Sequence, residues 1–340
     1  MKIGIIGKSQ SGKSTVFHAL APGGGTAHGM THIAAVKVPD ERLDWLSALF
    51  KPKKHTPATI DFMDFPALAI GKAEEEGPSG RQVLALMREM EALVVVLDGF
   101  SGTREALADL REIQSEMILA DLAILENRIV KLKREIAKPS PRRDLDQAEL
   151  AILERFVPEL EKGNIPKEPV FLKAIVPYQP LTAKPVIPLI NLKEDALAGF
   201  APPAGFPTEG IAMCAKLEAE IGELPAADQT EYLAALGLKS LSLPLLVRRC
   251  YDVLGRIPFF TAGEDECRAW TIAKGDNAVT AAGKIHTDLA RGFIRAEVYS
   301  FNDLKTLGSE KALKEKGKLR VEGKDYIVRD GDILNIRFSV

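Results

Sequence analysis

Apolar residues recur along the chain in two different patterns. Short continuous apolar runs, which are typical of strands buried on both faces, alternate with stretches whose apolar positions lie on one helical face. The predicted strands lie at 1–7, 34–38, 58–64, 92–97, 185–190 and 211–214, the predicted helices at 14–20 and 42–50, and a glycine-rich predicted loop at 22–32. Strands that alternate with helices in this way predict an α/β fold with a doubly wound, mostly parallel sheet.

A heptad pattern interrupts this alternation after the strand at 92–97. The apolar positions of a first seam are spaced by four and three residues, and those of a second seam follow a segment with two prolines, 138–143. The seams consist of Ile118, Leu122, Leu125, Ile129, Leu132 and Ile136, and of Leu150, Leu153, Val157 and Leu160. This pattern predicts an antiparallel helical hairpin over about 104–165. A self-contained coiled-coil arm and an arm that docks on a partner both remain open.

Beyond about residue 259 the pattern of apolar and polar residues changes again. Short strand patterns at 268–272, 292–298, 325–328 and 333–338 are separated by Gly-Asp and Glu-Gly turns. These patterns predict a small C-terminal α+β domain of about 80 residues.

The composition is that of a soluble globular protein with two or three domains. The 340 residues are 46% apolar and 27% charged, and a domain commonly takes about 100–200 residues. The 45 Lys and Arg residues nearly balance the 47 Asp and Glu residues, so the net charge is −2. Because no bulk positive field is available to hold nucleic acid, such binding requires a local patch.

The cysteines and the short apolar runs bear on the cellular compartment. Cys214, Cys250 and Cys267 are widely spaced, which excludes a disulfide framework or a four-cysteine zinc site and favours a reducing compartment. The longest apolar run, 92–97, is far shorter than the roughly 20 residues that span a membrane. Glycine and polar residues interrupt the N-terminal stretch at once, unlike in a signal peptide. We therefore expect a cytoplasmic protein without a membrane partner.

The first strand and helix flank the motif G-x-x-x-x-G-K-S. Glycines let such a loop curl so that its N–H groups surround a β-phosphate, and the following helix adds its positive end. Lys13 is expected to reach the β- and γ-phosphates, and the Ser14 hydroxyl to ligate Mg²⁺. A glycine turn without a ligand is the alternative. The predicted nucleotide-binding residues of this loop are Gly7, Lys8, Ser9, Gln10, Ser11, Gly12, Lys13, Ser14 and Thr15.

A P-loop also needs a carboxylate at the end of a neighbouring strand to hold the water shell of Mg²⁺. Asp64, at the end of the strand 58–64, is the predicted magnesium residue and, with Lys13, a predicted catalytic residue. Asp61 is expected at a rim, and Asp98 in a strand-end turn.

Base recognition is expected after a later strand, where Asn191 is followed by Glu194. Guanine-specific P-loop proteins have Asn-Lys-x-Asp at this place, and the aspartate accepts two hydrogen bonds from guanine. The longer Glu194 and the displaced lysine therefore predict a poor fit to guanine. A plain loop that leads into an acid-capped helix is the alternative.

Longer motifs resemble the YchF, or Obg-like ATPase, family of P-loop NTPases. The resemblance extends over the whole chain, and its most specific part resembles the TGS domain of that family, which has a ubiquitin-like fold. The matching segments are 7–14, 38–44, 51–54, 57–60, 118–122, 181–186, 260–263, 268–271, 282–288, 292–297 and 322–328.

The resemblance implies a division into three domains. A discontinuous nucleotide-binding domain would occupy 1–103 and 179–258, an inserted coiled-coil hairpin 104–178, and a TGS domain 259–340. The family's hairpin and TGS domain imply contact with the ribosome or RNA.

The resemblance also implies how the base is bound. An Asn-x-x-Glu motif at Asn191 and Glu194 would favour ATP over GTP. The family's loop after the last strand of the sheet would place Cys214 and Ala215 beside the base, and a buried, inert cysteine is the competing interpretation of Cys214.

The chain departs from the family in its switch regions. The Asp-x-x-Gly motif reads Asp64-Phe-Pro-Ala67, in which Pro66 has no N–H and Ala67 tolerates fewer backbone angles than glycine. Leu68 stands where Ras-like enzymes have the glutamine that orients water. The candidates for the threonine that completes the magnesium shell are Thr26 and Thr31.

Taken together, the residues and the resemblance predict a Mg²⁺-dependent nucleoside triphosphatase that hydrolyses ATP slowly. The nucleotide would control a switch that acts on the ribosome or RNA. Two alternatives stay open: a degenerate P-loop scaffold that binds nucleotide without hydrolysis, and a GTPase of the Obg-like group. Recognition of a DNA sequence is not expected.

Overall fold

The computed structural model of the chain describes residues 1–28, 31–67, 77–102, 105–165, 168–238 and 240–339. These residues form two compact units. Unit 1 consists of Met1–Ala35 and Asp61–Leu243, and unit 2 of Val36–Ile60 and Pro244–Val340. In the described part of the chain, no helix combines the length and the apolar composition that a membrane span requires.

Unit 1 contains most of a seven-stranded sheet with the strand order β2-β3-β5-β1-β6-β7-β8. The strands are β1 (Lys2–Ile6), β2 (Thr26–His28), β3 (Thr31–Lys37), β5 (Thr59–Asp64), β6 (Ala92–Asp98), β7 (Val186–Asn191) and β8 (Ile211–Met213), and β4 (Lys54–Thr56) belongs to the second sheet. Strands β5, β1, β6, β7 and β8 pair in parallel. Every residue of β6 is buried, as expected for a strand covered on both faces. The predicted doubly wound, mostly parallel sheet is therefore confirmed.

The glycine-rich stretch 22–32 is not a simple loop, so that prediction is wrong in part. β2 pairs antiparallel with β3, and Thr26 lies opposite Ile33. Both candidate switch threonines are thus strand residues, and Thr31 is fully buried. Glycine lowers the strand signal of a sequence, but pairing with a partner strand overrides that local preference.

The helices of unit 1 pack on this sheet or extend from it. They are α1 (Lys13–Leu20), α3 (Gly77–Arg88), α4 (Ala106–Ile136), α5 (Arg143–Glu161), α6 (Pro169–Ile175), α7 (Ala215–Gly222) and α8 (Ala226–Ala235), and α9 (Leu243–Val253) begins at its boundary. Apolar side chains of α3, β6 and the first half of α4 form one core cluster. Ile6, at the end of β1 just before the glycine-containing loop, belongs to the same cluster.

The predicted helical hairpin is present as α4 and α5. A six-residue connection, 137–142, forces the two helices to run antiparallel. All positions of both predicted seams belong to one apolar cluster, which also contains Phe156, Phe171 and Ile175. The rings of Phe156 and Phe171 stack with centroids 4.6 Å apart, so α6 closes the hairpin core. Whether the pair supercoils as a coiled coil stays a prediction.

Arg128, Glu149 and Tyr178 join the two helices of the hairpin to the turn after α6. Arg128 donates two hydrogen bonds to the Glu149 carboxylate, at 3.1 and 2.8 Å, and the Tyr178 hydroxyl donates a third. The hydrogen bonds from Arg128 lower the pKa of Glu149, burial opposes this, and Tyr178 adds to the lowering.

This lowered pKa predicts how the hairpin responds to acid. The ionised Glu149 stabilises the fold fully above its unfolded pKa of about 4.3, and that stabilisation is lost as the pH falls through the lower folded pKa. We expect Glu149→Gln to remove this part of the pH dependence. Urea unfolding at several pH values between about 3 and 6 measures it. Glu126→Gln, at an exposed position of α4, is the matched control, and parallel pH profiles of wild type and Glu149→Gln would contradict the expectation.

Unit 2 contains a six-stranded sheet with the order β12-β11-β13-β9-β10-β4. Its elements are α2 (Glu41–Phe50), β4, most of α9, β9 (Arg256–Thr261), β10 (Glu266–Ala273), α10 (Ala278–Ile285), α11 (Thr287–Arg291), β11 (Phe293–Ser300), α12 (Phe301–Leu307), α13 (Glu310–Glu315), β12 (Arg320–Glu322) and β13 (Asp332–Phe338). The predicted strands at 268–272, 292–298 and 333–338 are confirmed. At 325–328 the predicted strand is reduced to an isolated antiparallel bridge between Ile327 and Asn277.

The segment 36–60 is the unexpected part of unit 2. Its strand β4 adds to the C-terminal sheet beside β10 in parallel, so that His55 lies opposite Cys267. Its helix α2 begins after Asp40, whose carboxylate accepts the Arg42 N–H as an N-cap. The three-domain division stays a prediction, with the N-terminal domain also contributing to the C-terminal sheet.

Candidate nucleotide-binding site

The loop between β1 and α1 requires glycine at both ends. Gly12 has φ +87°, and a Cβ there would lie 2.1 Å from Asn191 Nδ2. A Cβ on Gly7 would lie 2.5 Å from the Val96 carbonyl oxygen. Gly12 is also the N-cap of α1, and a glycine has no side chain that could cap the first turn. The N–H groups at this helix start are therefore open to an anion.

Two other residues of the loop have unusual environments. Gln10 has φ +65°, a left-handed conformation that is uncommon for a residue with a side chain. Ser11 is buried, and its hydroxyl oxygen has no hydrogen-bond partner in the described part of the chain. Ser9, Ser14 and Thr15 are exposed, so the start of α1 is open to a ligand.

Ser14 and Asp64 lie together, as the sequence predicts for a magnesium site. The Ser14 hydroxyl donates a hydrogen bond of 3.0 Å to Asp64 Oδ2. The other oxygen, Oδ1, is buried without a partner among the described residues. Burial raises the pKa of Asp64, while Ser14 and the nearby charge of Lys13 act to lower it. A carboxylate held back from water, with one oxygen unused, is the kind of group that a cation with its water shell satisfies.

The oxygen atoms of Ser14 and Asp64 suit Mg²⁺ better than a metal ion whose whole coordination shell must come from protein side chains. Mg²⁺ keeps several waters and takes one or two protein ligands together with substrate phosphates. No cluster of three or more His, Cys, Asp or Glu side chains suited to a metal occurs in the part of the chain that the structure describes. Ser14 and Asp64 would thus hold the ion, which would supply charge neutralisation at the phosphates when bound.

Asn191 connects the phosphate loop to the segment after β8. Its Nδ2 donates to the Ser11 carbonyl at 3.2 Å, and its Oδ1 accepts from the Ala215 N–H at 3.0 Å. The side chain is buried, so both hydrogen bonds matter for its position. Asn191 therefore holds the end of the P-loop against the N-terminus of α7.

The other predicted base-binding residues lie around this connection. Cys214 is buried beside Leu217 and Ile221 in an apolar cluster, next to Ala215. Glu194 is exposed at the start of a short 3-10 turn, Glu194–Ala196. Base contacts by these residues stay a prediction.

Lys8 has partners that the sequence did not reveal. Its ammonium lies 2.7 Å from Asp109 Oδ1 and 2.5 Å from Glu112 Oε2, both in α4. Burial alone would lower the pKa of Lys8, but these hydrogen bonds raise it. The sequence signal for this contact was the acidic pair Asp109 and Glu112, spaced i, i+3 on a helix. Such pairs are common on solvent-exposed helices, so the signal does not point to Lys8. The P-loop is thereby joined to the helix that forms the hairpin.

The remaining sequence candidates have clear places. Asp98 accepts hydrogen bonds from the N–H groups of Phe100 and Ser101 and from the Ser101 hydroxyl, which confirms the predicted strand-end turn. Ala67 is exposed after β5, and Leu68 lies outside the described residues.

Comparison with known proteins identifies the family to which the chain belongs. A family model described as "50S ribosome-binding GTPase" matches residues 2–128. A model of the YchF GTPase C-terminal part, described as "Protein of unknown function", matches residues 257–339. The "Ribosome-binding ATPase YchF" of Escherichia coli O157:H7 is 38% identical, and the alignment covers 100% of this chain and 99% of that protein. The chain belongs to the YchF family.

Two further YchF proteins show the same full-length correspondence. The protein of that name from Bacillus subtilis is 34% identical over 99% of each chain. The solved structure titled as the YchF GTPase of Schizosaccharomyces pombe is 28% identical, with a TM-score of 0.83 over 99% of this chain and 97% of that one. The P-loop fold and the C-terminal domain of the YchF family are therefore both present here.

Proposed function

We propose that this protein is a Mg²⁺-dependent nucleoside triphosphatase that hydrolyses ATP slowly and uses the nucleotide state to control contact with the ribosome. The observation that carries the proposal is the Ser14–Asp64 pair beside a phosphate loop that requires glycine at both ends. Relatives named ribosome-binding ATPases match over their full length, which supports the choice of reaction and partner.

The loop N–H groups, Lys13 and the Ser14–Asp64 pair have different roles in this proposal. The loop N–H groups and the start of α1 would hold the β-phosphate. Lys13 would neutralise charge on the β- and γ-phosphates as water attacks in line and the β–γ bridging bond breaks. Asp64 and Ser14 would keep the cation beside the same oxygens. No side chain that orients water is identified among the described residues, so slow turnover is expected.

The length and exposure of Glu194 support the proposed preference for ATP. Guanine recognition in P-loop proteins uses a short aspartate that accepts two hydrogen bonds, and Glu194 is longer and exposed. The Asn191 side chain is already bonded to Ser11 and Ala215.

The second candidate function is a scaffold that binds nucleotide without turnover. The observation that favours it is Pro66-Ala67, which stands in place of the glycine that meets the γ-phosphate.

Phosphate release tests the proposed hydrolysis. We expect Lys13→Ala to reduce ATP turnover by about 100-fold or more, the loss seen when one charge-stabilising group is removed. Lys131→Ala, an exposed lysine of α4, is the control and should leave turnover unchanged. Equal rates for wild type and Lys13→Ala would reject the assignment, and nucleotide binding without release by the wild type would favour the scaffold.

Sedimentation through sucrose at moderate salt tests the proposed partner. The wild-type protein with ATP and Mg²⁺ is expected to travel with ribosomes, whereas a protein that does not bind stays at the top of the gradient. Recovery only at the top in every nucleotide state would reject the ribosome contact.

A further inference from the structure

Unit 2 contains a cavity formed by the segment 38–42, helix α9, the start of β9 and the loop 327–330. Its volume of about 600 Å³ lies within the range of small-molecule sites. Val38, Val247, Ile257 and Pro258 give it an apolar wall, and the buried Tyr251 also lines it. The phosphate loop contributes nothing to it.

Cations with little or no pairing line the mouth of this cavity. Lys274 and Arg329 are exposed, and within the described residues neither side chain makes a hydrogen bond or an ion pair. Among the described residues, the partner of the Arg248 side chain is Asp252, at 3.6 Å, and both side chains are more than half exposed. Such exposed charges are available to an anionic ligand at little cost.

Arg42, in contrast, is paired with two neighbouring carboxylates. It donates to both oxygens of Asp40 and, at 2.7 Å, to one oxygen of Asp330. Its pKa is raised, chiefly by the hydrogen bonds to Asp40. The second oxygen of Asp330 and the exposed Asp252 carboxylate remain as acceptors at the cavity. The cavity thus combines an apolar wall, uncommitted cations and carboxylate acceptors.

We propose that this cavity binds one nucleotide of single-stranded RNA. The base would lie against the apolar wall, the adjacent phosphates on Lys274, Arg329 and Arg248, and base amino groups would donate to Asp252 or Asp330. Unpaired bases are the part of an RNA whose faces and edges are open to a protein, and cations beside them neutralise the phosphates. This inference rests on the proposed ribosome contact and names the surface that would make it.

An acidic peptide is the competing occupant and fits less well. Three carboxylates, those of Asp40, Asp252 and Asp330, line the same cavity. They would repel a run of peptide carboxylates, whereas a nucleotide carries hydrogen-bond donors on its base and charge only on its phosphates.

Fluorescence anisotropy with the full-length protein tests the site. The probe is an eight-nucleotide single-stranded RNA of mixed sequence with a 5′-hydroxyl, labelled at its 3′ end, so that no terminal phosphate is offered to the P-loop. We expect the double variant Lys274→Ala/Arg329→Ala to bind at least 10-fold more weakly. The dependence of log affinity on log salt should become shallower by about 0.7 for each phosphate that the variant no longer neutralises. Lys311→Ala/Lys314→Ala in α13, also exposed and in unit 2, removes the same charge away from the cavity and should change affinity less than twofold.

Four results would overturn the proposal. They are no binding of the RNA by the wild type, binding by the cavity variant within twofold of wild type, an equal loss in the α13 variant, and displacement of the RNA by a glutamate peptide of equal charge as effectively as by unlabelled RNA. ATP turnover of the same variants separates this inference from the proposed function, because the cavity substitutions should leave turnover unchanged. RNA binding that ignores the cavity together with normal turnover would reject only the cavity, and absent turnover with cavity-dependent RNA binding would reject only the proposed hydrolysis.

Discussion

Replacing Asp121 by alanine is expected to lower the free energy of unfolding of unit 1 by about 3–5 kcal/mol, the loss typical of breaking a buried ion pair from one side. The carboxylate is 1% exposed. It accepts hydrogen bonds from Arg88 at 2.6 Å, from the N–H groups of Leu181 and Thr182 at 3.0 and 2.8 Å, and from the Thr182 hydroxyl at 2.8 Å. Without it, the buried guanidinium of Arg88 keeps its hydrogen bonds to the carbonyls of Ala120 and Gln179 but loses its ion-pair partner. The N–H groups of Leu181 and Thr182 lose their acceptor.

The hydrogen bonds around Asp121 join three separate parts of unit 1. Arg88 ends α3, Asp121 lies in the middle of α4, and Thr182 belongs to the segment that enters β7. Lys184, in the same segment, donates to the carbonyls of Arg88 and Met90. Two motifs noted in the sequence, 118–122 and 181–186, therefore meet here and fasten the hairpin to the sheet.

Urea unfolding of the full chain, followed by far-UV circular dichroism, measures the effect. Asp121→Asn keeps the shape and should lose less than the alanine variant. Glu126→Ala, an exposed acid on the same helix, should change stability by less than about 0.5 kcal/mol. A loss below about 1 kcal/mol in Asp121→Ala would show that the network is not a fastening of the hairpin.

Gly12→Ala is expected to weaken binding of ATP and Mg²⁺ by about 100-fold or more, which corresponds to about 2.7 kcal/mol. The new Cβ would lie 2.1 Å from Asn191 Nδ2, so the loop or α1 has to move. The left-handed conformation at φ +87° adds about 1–2 kcal/mol of strain. Because the displaced N–H groups are those that face the phosphates, the loss should appear in nucleotide affinity.

A matched control separates this clash from backbone strain. Gly163 has φ +85°, and a Cβ there would meet nothing within 4 Å. Gly163→Ala therefore shares the strain without the clash and should bind nucleotide as the wild type does. The double variant Gly12→Ala/Asn191→Ala removes the clashing amide and should recover part of the affinity relative to the sum of the two single changes. Calorimetric titration with nucleotide compares the wild type, the three single variants Gly12→Ala, Gly163→Ala and Asn191→Ala, and the double variant. Unchanged affinity in Gly12→Ala would contradict the loop geometry.

Features that depend on local pattern could be predicted from the sequence. The apolar run at 92–97 became the buried strand β6, and the heptad seams became the packed face of α4 and α5. The spacing of Gly7, Gly12 and Ser14 placed the phosphate loop between a strand and a helix. Short-range periodicity specifies these elements because each buries its own apolar face.

Features that depend on distant pairing could not be predicted. β4 joins β10 some 210 residues later in the chain, and a strand of three residues carries no signal of its partner. The hydrogen bonds of the Asn191 amide to Ser11 and Ala215 have no specific signal in the sequence. The same holds for the ion pairs of Lys8 with Asp109 and Glu112. These contacts are set by the fold, which the linear spacing of residues does not encode. Contacts of Asn191 with a base and of Lys8 with phosphate stay predictions.

Titration of the nucleotide-free protein with ATP and with GTP in the presence of Mg²⁺, by calorimetry, tests the central claim most directly. The same sample is then assayed for phosphate release. The account predicts saturable binding at one site per chain, tighter for ATP than for GTP, followed by slow release of phosphate from ATP. Absence of binding by either nucleotide would contradict the account at the phosphate loop itself, and tighter binding of GTP would contradict the role given to Glu194.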